Sequence, residues 1–174
     1  MAMEKRIAVI AIDPGNMESG VCVVDADSYK PMFASKLENA VVPAVMFEHS
    51  DKLREDGIEV RVAIEMVASY GMPVGKEVFD TCVWIGRFIE NAKLMDLDYE
   101  LVYRKDEKLA ICHSPNANDA TIRQALVDRF AYGVPNYGKG SKKEPGWFYG
   151  FKADIWSSYA VAVTAIDRMR KVYT

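Results

Sequence analysis

The chain has 174 residues, half of them apolar, which is enough for an ordinary buried core and most simply one domain spanning 1–174. A formal charge of −3 excludes a surface that attracts nucleic acid as a whole, so a polyanionic partner needs a local basic patch or metal. Cys22, Cys82 and Cys112 lack Cys-x-x-Cys spacing and read as reduced core residues; no apolar run approaches the roughly 18 residues of a bilayer span, and Glu4-Lys5-Arg6 does not open a signal peptide.

In chain order, residues 5–12 are β-branched and apolar and predict a buried strand that ends on Asp13, in Ile10-Ala11-Ile12-Asp13-Pro14-Gly15. Gly15 and Gly20 punctuate a turn, and 20–25 return as a second strand, so the fold begins with a hairpin. Residues 31–37 predict a third strand, and 42–56 have helical spacing with a stop at Gly57. The run Val60-Arg61-Val62-Ala63-Ile64-Glu65 is a fourth strand, again closed by an acid. A long amphipathic helix from about Lys76 to Met95 places Val78, Cys82, Ile85, Phe88, Ile89 and Ala92 on one stripe. Residues 99–103 predict the fifth strand, followed by helices over 106–112 and 118–130, the second with Ser114-Pro115-Asn116 as its start signal. Five glycines and two prolines break all periodicity over 132–150, and a last helix fills 152–171. There is no internal repeat. Three consecutive strands, then strands alternating with helices, predict an α/β fold with a mixed five-stranded sheet flanked by helices.

A strand that ends in a carboxylate must aim it at water, a proton or a cation, because burying it unpaired costs several kcal/mol. Asp13 and Glu65 both end apolar strands, and Asp154 opens a helix of small residues, with 154, 157, 158 and 161 on one face. Oxygen ligands of this kind suit Mg²⁺, which is usually held by a few carboxylates plus substrate phosphate. Two such ions about 4 Å apart serve in-line displacement at phosphorus. His49 and His113 are far from other zinc ligands, and neither a Gly-x-Ser-x-Gly elbow nor a Gly-x-x-x-x-Gly-Lys-Ser/Thr phosphate loop is present.

Ile12-Asp13-Pro14-Gly15 on the first strand, Ile64-Glu65-Met66-Val67 with Ile85-Gly86-Arg87 in the next helix, Asn118 to Leu126, Pro145-Gly146 before Tyr149-Gly150, and Ala-Asp-x-x-Ser-x-x-Ala-Val-Ala from Ala153 form an ordered set. In this set the chain resembles the RuvC-type Holliday junction resolvases, in particular their phage and prophage relatives, over nearly its whole length. The resemblance implies a ribonuclease H-like fold with strands 1–3 antiparallel and parallel additions. It implies a homodimer in the cytoplasm of a bacterium or phage-infected host, using Mg²⁺ or Mn²⁺, two per site, to cut four-way DNA junctions. Asp13, Glu65 and Asp154 become catalytic metal ligands. Cellular members carry a fourth acid one turn past the helix acid. Ser157 stands there in this chain, so Ser157 or Asp119 is the candidate for the remaining ligand.

For DNA, Lys139, Lys142, Lys143 and Lys152 interleave with Tyr137, Trp147, Phe148, Tyr149 and Phe151, which suits either phosphate tracking with base stacking or a solvated basic loop whose aromatics anchor it to the core. Tyr70 is the candidate for the aromatic with which the family wedges open a junction, and Lys76 and Arg87 are candidate phosphate contacts, the alternative being charges that only solvate a helix face; Arg104, Lys105 and Lys108 have the same two readings. Two symmetric cuts need two equivalent sites, and the aromatics Phe79, Trp84 and Phe88 on the 76–95 helix are either the candidate dimer surface or all turned to one core. Two rivals stand beside this reading: an RNA-processing nuclease of the same fold, and a non-catalytic junction-binding module. Sugar kinases and actin-like proteins share the Asp-x-Gly turn but need a second domain and phosphate loop.

Overall fold

A computed structural model describes residues 5–172 of the protein, and Glu4 of the charged start lies outside them. Five strands, β1 (Ile7–Asp13), β2 (Glu18–Asp25), β3 (Pro31–Glu38), β4 (Glu59–Met66) and β5 (Asp98–Tyr103), form one sheet in the order β3-β2-β1-β4-β5. β1, β2 and β3 pair antiparallel through short turns, whereas β4 and β5 join in parallel through helical crossovers. The crossovers are α1 (Val42–Glu55) and α2 (Lys76–Leu94), which cover one face. The helices α3 (Arg104–Cys112), α4 (Asp119–Phe130) and α5 (Asp154–Val172) follow β5, and α4 and α5 cover the other face. Among the described residues no helix is long and apolar enough to cross a membrane.

With both faces covered, the central strands read as continuous apolar runs, and their alternation sorts side chains between two cores. Ile10, Ile12, Val62 and Ile64 face α1 and α2; Val9, Ala11, Ala63 and Val102 face α5. The residue after Ile12 and the residue after Ile64 must therefore point to the α5 side. These are Asp13 and Glu65.

Some boundaries differ from expectation for local reasons. β5 runs straight into α3, which starts at Arg104 because the backbone N–H of Tyr103 donates to the Asp106 carboxylate at 3.1 Å. Asn118, not Ser114-Pro115-Asn116, caps α4, accepting from the Thr121 N–H at 2.9 Å. α5 begins at Asp154, because Ala153 has left-handed backbone with φ 39° and turns the chain into the helix. The glycine-rich stretch is folded: residues 136–138 make a 3-10 turn, Gly140 bridges Pro145, and Phe148 and Phe151 are buried. Of the two readings of these aromatics, their burial selects core anchoring over base stacking for Phe148 and Phe151. Phe88 is likewise fully buried on α2 and is not available as a dimer surface, Trp84 is half-buried against the same core, and Phe79 remains exposed. Of the cysteines only Cys22 is buried, while Cys82 and Cys112 are half-buried.

Candidate metal centre

β1 and β4 are adjacent parallel strands with Ile12 paired to Ile64, so Asp13 and Glu65 leave the carboxyl edge of the sheet side by side. The two carboxyl groups are within hydrogen-bonding reach of one another, and Glu65 raises the cost of ionising Asp13's buried carboxyl. Burial first, then the charge of Glu65, then Asp154 and Glu107, push Asp13 up to about 9. Burial also raises Glu65, against the pull of Asp13's hydrogen bond and of Arg104.

Asp154 reaches this pair because of a glycine. Gly20 is the cross-strand partner of Asp13, and a Cβ there would lie 2.3 Å from the backbone oxygen of Asp154. Only a bare backbone lets the first turn of α5 settle on β2 next to Asp13. The Asp154 carboxylate is paired with Lys36 Nζ at 2.9 Å, and Lys36 stands opposite Gly20 on β3. Lys36 also reaches Glu18 at 3.2 Å. Lys36, Gly20 and Asp13 thus share a rung across the sheet, one residue from the Ile12–Ile64 pair that sets Glu65. The Asp13 turn is itself pinned by two buried side chains: Ser19 Oγ donates to Asn39 Oδ1 at 2.6 Å, and Asn39 Nδ2 donates to the Gly15 carbonyl at 2.8 Å.

α3 brings a further acid that the sequence did not single out. Glu107 has no exposed surface, its Oε2 is bound by Arg104, and its Oε1 has no hydrogen-bond partner among the described residues. Such an orphaned atom costs on the order of 1–3 kcal/mol. Burial and then the charge of Glu65 push Glu107 up to about 8. Arg104 is the counter-ion of this cluster, neither of the two roles the sequence suggested: it binds Glu107 and Asp119 and lowers Glu65. Asp119 is therefore engaged by Arg104 on the first turn of α4, with its side chain 86% exposed. Ser157, Asp154, Arg104, Asp119 and Arg123 line a cavity of about 200 Å³ beside the acids.

Among the described residues no three acid, histidine or cysteine side chains already converge as a cage for an ion. Lys36 holds Asp154 and Arg104 holds Glu107, while Asp13 and Glu65 are hydrogen-bonded to each other. The donor set nonetheless fits a hard divalent cation, because clustered carboxylates and an orphaned carboxylate oxygen are what such an ion neutralises. Lys36 could not be read from the sequence, since a lysine on an exposed edge strand is ordinary. Glu107 lies in Lys105-Asp106-Glu107-Lys108, which reads as a solvated run until α3 docks on α5.

The remaining candidates lie outside this cluster. Tyr70 is 66% exposed in the turn after β4. Lys76 starts α2 and pairs with Asp80 at 3.1 Å, and Arg87 lies over the Trp84 ring at 4.5 Å. Lys142, Lys143 and Lys152 are exposed, Lys139 is half-buried, and Tyr137 and Tyr149 are the exposed aromatics of that segment. Trp147 is tied to the core, its Nε1 donating to the Tyr159 hydroxyl at 3.1 Å.

The structure superposes on that of Thermus thermophilus RuvC with a TM-score of 0.69 at 17% identity, over 94% of this chain and 96% of that one. The fold is RuvC-like, of the ribonuclease H-like class. The same RuvC-like fold is matched in T. thermophilus RuvC in complex with Holliday junction substrate, with a TM-score of 0.66, 17% identity and the same coverage. The large terminase nuclease from thermophilic phage G20c follows at 0.45 and 14% identity, over 90% and 81%. No protein-family model and no curated protein sequence matches the chain.

Proposed function

We propose that the protein is a divalent-metal-dependent endonuclease that cuts branched DNA, four-way junctions foremost, as a homodimer. The observation that carries this reading is the pairing of Asp13 and Glu65 at the carboxyl edge of adjacent parallel strands, with Asp154 brought alongside over Gly20. Asp13, Glu65 and Asp154 are the residues that would hold Mg²⁺ or Mn²⁺. Bound in a pair, these ions supply Lewis acidity that lowers the pKa of water and offsets charge developing on a phosphodiester.

The chain's own residues do the rest. Metal binding would require Asp13 to release its proton and Asp154 to part from Lys36. Lys36 then stays beside the site as a cation that can meet a phosphate oxygen. Lys139, Lys142, Lys143 and Lys152 follow the DNA backbone and supply the local patch that a net charge of −3 demands. Tyr70, exposed in the turn after β4, is our candidate for entering the junction, and Lys76 for touching an adjoining phosphate. Phe79 and Val83, exposed at i and i+4 on α2, are the apolar surface offered to a second copy. The motif order around Asp154 favours the phage and prophage branch.

A panel of labelled four-way, three-way, flap and linear DNA and a structured RNA, each with Mg²⁺, Mn²⁺ or EDTA, tests the reading. Metal-dependent nicking of the four-way junction above linear DNA supports it. Cutting confined to the RNA transfers the protein to RNA processing, and tight junction binding with no nicks under any ion reduces it to a binding module.

A further inference from the structure

Glu107 is a buried acid for which the roles above have no task. It sits on α3 with no exposed surface, and Arg104 occupies only Oε2, leaving Oε1 without a partner among the described residues. A purely structural ion pair would turn both oxygens to the guanidinium fork, which is built for two-point contact. A neutral carboxyl group would donate from its free oxygen, and no acceptor stands within reach. The unpaired oxygen belongs to a side chain close enough to Glu65 and Asp13 for their charges to act on one another. Charge count points the same way. Once ionised, Asp13, Glu65, Asp154 and Glu107 outnumber Lys36 and Arg104 by two charges, before the flanking Glu18 and Asp119 are considered. On α5 the neighbouring position is Ser157, whose hydroxyl is a poor partner for a hard divalent ion.

We propose that Glu107 is a further carboxylate of the metal centre, its free Oε1 joining, directly or through one water, the shell begun by Asp13, Glu65 and Asp154. Arg104 acts as a positioning residue that neutralises Oε2 and orients the other oxygen. The inference rests on the metal-dependent nuclease reading and names where the additional acid comes from: the helix after β5, not the terminal helix.

Calorimetric titration of Mn²⁺ into the full chain tests it, comparing wild type with Glu107→Gln, Glu107→Asp and Asp13→Asn, each melted in EDTA as a folding control. Glu107→Gln is expected to weaken Mn²⁺ binding by roughly 10-fold or more, or to abolish one of two binding events, while its melting in EDTA holds or rises. Glu107→Asp, which keeps the charge but retracts the oxygen, falls between. Wild-type Mn²⁺ affinity in folded Glu107→Gln overturns the proposal and leaves the nuclease reading standing. Absence of Mn²⁺ binding by wild type overturns both. If Glu107→Gln does not fold, wild-type crystals grown with Mn²⁺ decide: Glu107 within one water of the ion supports the assignment, and Glu107 turned away overturns it.

Discussion

At the scale of single residues, the chemistry rests on acids that the fold keeps from ionising freely. Asp13 titrates near 9 instead of its ordinary 3.8, first through burial and then through Glu65. A raised folded-state pKa means that the native protein binds its proton more tightly than the unfolded chain does. That stability is complete below the ordinary value and is lost as pH climbs through the raised one. The metal-free protein should therefore melt at progressively lower temperature between about pH 5 and 9, and Mg²⁺ should restore more at pH 8.5 than at pH 6, because it replaces the proton. Thermal melts with EDTA and with Mg²⁺ check this; a Mg²⁺ effect equal at both pH values would contradict it. Asp13 and Glu65 were legible in the sequence because an acid that closes an apolar strand has no bland explanation. Glu107, Arg104 and Lys36 were not, because charges on a short helix or an edge strand look solvated until tertiary docking buries or pairs them.

At the scale of elements, the site is a matter of how closely α5 approaches β2. A methyl group at position 20 would overlap the Asp154 backbone oxygen, so Gly20→Ala must push the helix start away from Asp13. We expect Gly20→Ala to cost about 1–3 kcal/mol in chemical denaturation and to reduce nicking further than its folded fraction explains. Equal loss of both would make Gly20 merely structural. The small residues that follow Asp154 on the terminal helix made such a close approach to the sheet legible in the sequence, whereas the role of Gly20 was not.

The segment over 132–150 was less legible. Its glycines and prolines concealed a folded loop in which Phe148 and Phe151 pack around Trp156 and Tyr159. Composition reveals aromatics interleaved with lysines but not which of them turn inward. The two kinds of residue should now separate by experiment: Phe148→Ala should cost about 3–5 kcal/mol of stability. The Lys142→Ala, Lys143→Ala double variant should melt normally, bind junction DNA more weakly, and lower the slope of log affinity against log salt by about 2. A double variant with unchanged affinity and salt slope would remove this loop from the DNA surface.

At the scale of the whole molecule, the mixed sheet follows from the alternation of elements, and the strand order from two constraints acting together. Short turns force β1, β2 and β3 to pair as neighbours, while helical crossovers carry β4 and β5 to the other side of β1 in parallel. A surface for the proposed second copy was harder to read from sequence, because the aromatics of α2 divide between core and surface along the helix. Phe79 is exposed whereas Phe88 is buried, and only packing against the sheet distinguishes them. Phe79→Asp should accordingly convert a dimer to monomer in sedimentation and uncouple the two cuts of a junction, with little change in melting temperature. A wild-type sedimentation coefficient for the variant would move the interface elsewhere.

Nicking of a labelled four-way junction by Asp13→Asn, beside wild type and in the same Mg²⁺ buffer, tests most directly whether the gathered acids perform hydrolysis. The account predicts no cleavage by the variant while junction binding stays within about threefold of wild type, because the carboxylate lost is in the centre of the acid cluster and the DNA surface is untouched. Near wild-type nicking by Asp13→Asn would contradict it.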